Sequence, residues 1–144
     1  MKTILETGST WFLESISKVD RLCLILVEGL VGQEEDTTIA GVEFRSKPIT
    51  VEKQSRRVRI TFQSPIAWQL VDESFTAFDD SEVRDDSSHL QILSQSKYLE
   101  YVNANHGWYS DVREAEGQHF RIWTEDDVID VVSCNPPEIE EMDT

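Results

Sequence analysis

The sequence predicts an α+β fold, mainly antiparallel β-sheet: about six to eight strands, closed as a barrel or stacked as a sandwich, with two short helices. Three observations predict it. Residues 56–63 alternate apolar and polar side chains, the period of a strand with one solvated face. Residues 119–133 can be folded into a hairpin in which both faces agree chemically. Helical spacing is confined to two short segments.

The first helix is expected over residues 10–18, where Phe12, Ile16 and Val19 fall at i, i+4 and i+7 and Ser9 or Thr10 can cap the start. Residues 22–27 are apolar at every position, as in a strand covered on both faces. An acidic loop over 32–37 leads to a strand over 38–45, with Val42 and Phe44 on one face and Glu43 and Arg45 on the other. In the next strand Val58, Ile60 and Phe62 point one way, and Arg57, Arg59 and Thr61 the other. Pro65 lacks an amide donor and marks a bend or a sheet edge. Strands over 66–71 and 74–78 follow, with Trp68 and Phe75 as core candidates.

A polar loop over 79–88 and a short strand over 89–93 precede the second helix, over 94–105. Its stripe is Tyr98, Leu99, Tyr101 and Val102, and Ser94 or Ser96 supplies the cap. Residues 103–117 read as a long loop. In the hairpin, setting Trp123 opposite Val128 places Phe120 against Val131 and Ile122 against Ile129 on one apolar face. The same register sets Arg121 across from Asp130 on the other face. Pro136 and Pro137 end one domain of residues 1–137 and leave 138–144 as a frayed acidic tail.

The segments 94–102 (SQSKYLEYV), 119–122 (HFRI) and 128–133 (VIDVVS) resemble a group of small uncharacterised bacterial proteins. The likeness covers residues 90–137, with a weaker echo in 26–29 and 57–62. It implies a bacterial, cytoplasmic protein, and it carries no catalytic or binding residue with it. The same residues also read as helix stripe and hairpin core.

Composition narrows the function. A hydrophobic share of 39%, with four Trp, six Phe and three Tyr, is enough for a core and argues against disorder. The longest fully apolar run is six residues, far short of the ~20 that a membrane-spanning helix needs. Glu6 interrupts the first residues, so they do not read as a secretory signal. Cys23 and Cys134 read as buried free thiols in a reducing cytoplasm, the alternative being a disulfide between adjacent strands.

No zinc-type spacing of Cys and His, phosphate-cradling glycine loop or nucleophile elbow is present, so neither cofactor nor metal is expected. The acidic stretch 79–86 lacks the glycine and terminal glutamate of a calcium loop and reads as solvated. Asp130, between apolar neighbours, is either a catalytic carboxylate or the ion-pair partner of Arg121; the pair is favoured. His119 and Cys134 fall on opposite faces, which opposes a dyad.

The net charge is −15, yet residues 45–59 hold six bases against one acid. An acidic exterior repels nucleic acid and anionic membrane and steers basic proteins. The expected activity is therefore non-enzymatic: binding a basic protein, in its sharpest form neutralising a basic toxin. Candidate contacts are the basic Arg45, Lys47, Arg57 and Arg59, and the aromatic loop His106, Trp108 and Tyr109. Trp108 could equally fold back onto the core. The alternatives are a ligand-binding protein or enzyme with a pocket near Trp68, Trp108 and His106, and self-assembly of basic stripe on acidic run.

Overall fold

A computed structural model describes residues 1–32 and 34–143. Gln33 of the expected acidic loop and Thr144 of the expected tail lie outside the described residues. So do the side chains of Glu35, Thr37 and Phe44, and with them the face expected for Phe44.

The strands in chain order are β1 (Trp11–Lys18), β2 (Leu22–Glu28), β3 (Leu30–Val31), β4 (Glu35–Ile39), β5 (Val42–Ser46), β6 (Ile49–Thr50) and β7 (Arg57–Phe62). Then come β8 (Pro65–Asp72), β9 (Val83–Arg84), β10 (Leu90–Gln95), helices α1 (Lys97–His106) and α2 (Tyr109–Arg113), β11 (Gln118–Trp123), β12 (Asp127–Ser133) and β13 (Glu138–Met142). All strand pairings are antiparallel. A four-stranded sheet runs β1-β2-β7-β13 and a five-stranded sheet runs β8-β12-β11-β10-β9, with β3-β6 and β4-β5 as separate ribbons. The expected α+β class is correct, and among the described residues no sheet closes into a barrel.

One apolar core lies between the two larger sheets. Leu22, Leu24, Leu26, Val58, Ile60 and Phe62 come from one, and Leu90, Phe120, Ile122, Ile129 and Val131 from the other, all fully buried. The rings of Phe62 and Phe120 bridge the sheets with centroids 5.5 Å apart. The hairpin register is the one expected: Trp123 meets Val128, Ile122 meets Ile129, Arg121 meets Asp130 and Phe120 meets Val131.

The expected helix over 10–18 is instead β1, a strand with a bulge. The pairing of β1 with β2 shifts between Leu13 and Ser15, leaving Glu14 extra. Leu13 and Ile16 therefore both face the core, whereas Phe12 of the expected stripe faces the other side and Val19 lies beyond β1, 85% exposed. β2 is fully buried on one face only, since Cys23 and Ile25 are half-buried; both cysteines are free, and Cys134 too is only half-buried. The expected acidic loop and following strand form the β4-β5 hairpin. Its turn at Ala40 and Gly41 has φ of 52° and 81°, the positive values a tight two-residue turn needs.

Further corrections concern the edges. The expected strand over 74–78 is a 3₁₀ turn, Glu73–Phe75, and Phe75 is 81% exposed. Residues 103–117 contain the end of α1 and all of α2. The expected frayed tail is ordered as β13: Ile139 packs against the core opposite Ile60, while Glu140 pairs with Arg59 at 2.8 Å. Alternation around one isoleucine, beside a basic strand face, is what holds this acidic segment.

Candidate functional site

On the outer face of the five-stranded sheet, β11 and β12 bring His119, Arg121 and Asp130 together, because alternate residues of paired strands share a face. Helix α1 covers them. Its N-cap, Ser96, accepts the Leu99 amide at 3.0 Å and lies 2.6 Å from His119 Nδ1. His119 Nε2 is 2.6 Å from Asp130 Oδ1, which Arg121 Nε also donates to at 2.8 Å. Gln69 donates to the second Asp130 oxygen at 3.1 Å, and Arg121 forks onto both oxygens of Glu82 at 2.7 and 3.0 Å.

Burial pushes the Asp130 carboxyl up, but the hydrogen bond from His119, the charge of Arg121 and the hydrogen bond from Gln69 outweigh it and hold the carboxyl below its ordinary value. The Tyr98 ring lies 5.3 Å from His119, and burial, with the Asp130 charge, pushes its phenol up to about 12.

Ser96, His119 and Asp130 follow the donor–acceptor order of a nucleophilic triad. Their setting is different. His119 is fully buried and Ser96 is 2% exposed, its oxygen already committed to the helix cap. A proton on Nε2, donated to Asp130, leaves Nδ1 to accept the Ser96 hydroxyl, and every group is then satisfied. The arrangement ties α1 to the sheet. The Arg121–Asp130 pair favoured from sequence is present; His119 and Ser96 were not singled out with it, although the hairpin register already put His119 on the face of Arg121.

The other expected site residues lie apart. Arg57 and Arg59 share the outer face of the four-stranded sheet, and each meets an acid, Glu14 at 2.9 Å and Glu140 at 2.8 Å. Arg45 is in β5, 3.4 Å from Asp36, and Lys47 is exposed just beyond it. His106, Trp108 and Tyr109 belong to the helical layer over the five-stranded sheet, so basic and aromatic candidates form no single surface. Tyr109 is half-buried, its hydroxyl donating to Asn103 at 2.7 Å and accepting the Gly117 amide at 2.9 Å. Trp108 is 77% exposed and stands in an open cleft of about 460 Å³ with Pro65, Ile66, His106, Val112 and Arg113. Trp68, expected beside it, does not line this cleft.

Trp68, expected in the core, and Leu70, two residues on, are both partly exposed. They sit opposite Val131 and Ile129, on the core-facing side, but β8 is an outermost strand and leaves them 38% and 41% exposed. No cluster of three or more metal-ligating side chains occurs among the described residues. No protein-family model, curated protein or solved structure matches the chain.

Proposed function

We propose that this protein acts in the cytoplasm by binding a basic protein, without catalysing a reaction on it. The observation that carries the reading is the exposed apolar surface of Trp108 and Val112, at 77% and 62% exposure, on a chain of net charge −15. Contiguous apolar surface left in water marks an interaction site, and tryptophan is enriched among the side chains that anchor such contacts. The negative exterior would speed the encounter, and the aromatic cleft would hold the complex. Neutralising a basic toxin is the sharpest form of this activity.

The full chain, immobilised and exposed to native lysate at low salt, should retain a basic protein. High salt should weaken capture, and Trp108→Ala should reduce it about tenfold or more. Retention indifferent to salt, or no retained protein, contradicts the reading. The cleft itself favours a second reading, a small aromatic ligand beside Trp108 and His106; saturable quenching of tryptophan fluorescence that Trp108→Ala abolishes would mark it.

A further inference from the structure

Four strands form the outer edges of the two larger sheets, and three of them are blunted against pairing. β1 carries the bulge at Glu14 and ends in Lys18. β13 is studded with Glu138, Glu140 and Glu141. β9 has two residues, one of them Arg84. β8 is the exception beyond its start, where Pro65 and the bulged Ile66 interrupt the ladder. It runs eight residues, has no charged side chain from Pro65 through Val71, and pairs only with β12.

The alternation of an antiparallel ladder leaves every second peptide group of β8 turned away from β12. Beside those groups, Trp68 and Leu70 prolong the core face past its last strand as an uncovered apolar ledge. Acids then gather at one end of the strand. Asp72 stands directly opposite Asp127, with Asp126 adjacent. Like charges facing across a ladder repel. Burial, then the charges of Asp126 and Asp72, raise the Asp127 carboxyl above its ordinary value.

We infer that β8 receives an extended segment of a basic partner as an added antiparallel strand. The segment's apolar side chains cover Trp68 and Leu70, and its leading basic residues meet Asp72, Asp126 and Asp127. The inference rests on the partner reading above and specifies how the partner is held. Main-chain hydrogen bonds supply affinity in this mode, and alternate side chains supply selectivity. A second copy of the chain fits less well, because each copy carries −15.

The probe is a short peptide of alternating valine and threonine preceded by two lysines, compared with the same peptide carrying its lysines last. In an antiparallel addition the leading residues lie beside Asp72. The first peptide should bind about tenfold more tightly, and on binding should slow amide exchange within residues 65–72. Leu70→Pro should abolish binding while circular dichroism shows the fold intact, and Trp68→Lys, which adds no proline, should weaken it about tenfold.

Equal binding of both peptides overturns the inference. So does failure of the first peptide to bind, protection confined to α1 and α2, or dimerisation of the free chain that Leu70→Pro abolishes. Lysate capture separates the two claims. A basic protein retained equally by the parent and by Leu70→Pro upholds the partner reading and overturns strand addition; peptide bound on β8 with no protein retained does the reverse.

Discussion

Asp130 shows how one buried carboxylate is made tolerable. Desolvation alone would favour its neutral form, and three donors from two strands, Gln69 of β8 and His119 and Arg121 of β11, keep it ionised. Arg121 is satisfied in turn by Glu82, so the charges close on one another beneath α1. Removing one member strands the rest. Asp130→Asn should cost about 3 kcal/mol at neutral pH, read as a lower urea midpoint. The sign of the pH dependence follows from the depressed carboxyl. Its stabilisation is fully present above the unfolded value, near ~4, and is lost as pH falls through the folded value. The gap between parent and variant should therefore narrow below about pH 4, whereas a gap constant with pH would assign Asp130 a role in shape alone.

At the scale of elements, regularity decided what could be read in advance. The β11-β12 hairpin was legible because neither strand contains a bulge, so one assumed pair fixed every other, including Arg121 against Asp130. β1 was not, because the extra residue Glu14 broke the period-two pattern. Trp68 resembled a core residue because its size says nothing of whether a strand is central or outermost, and Phe75 because its size says nothing of whether it lies in a strand or a turn. Of the buried network, the β11-β12 half followed from register. Ser96 appeared only as a possible cap, since the contact that matters, with His119, depends on how α1 lies across the sheet. β13 was hidden by its charge, for its counterion Arg59 is distant in sequence. Deleting residues 138–144 removes Ile139 from the core margin and uncovers the edge of β7. This should cost about 2–4 kcal/mol and promote aggregation, both measurable by urea unfolding and light scattering. An unchanged midpoint would mean that β13 contributes nothing.

The whole molecule is two sheets over one core, one faced with ion pairs and the other with a helix. Charges that looked like a free basic stripe are largely answered by Glu14, Glu28 and Glu140, so the exterior is more uniformly acidic than the sequence suggests. Apolar side chains stay uncovered on β8 and beside Trp108, as they also do at Phe75, Phe78 and along the β3-β6 and β4-β5 ribbons. No helix among the described residues is long and apolar enough to cross a membrane, so this surface does not belong to a spanning helix. The most direct test is residue-resolved amide exchange on the free chain. β11, β12 and β13 should exchange slowly, while amides along β8 alternate between slow and fast as those turned from β12 meet solvent. Uniformly slow exchange along β8, or rapid exchange throughout β13, would contradict the arrangement of edges on which the proposed binding mode depends.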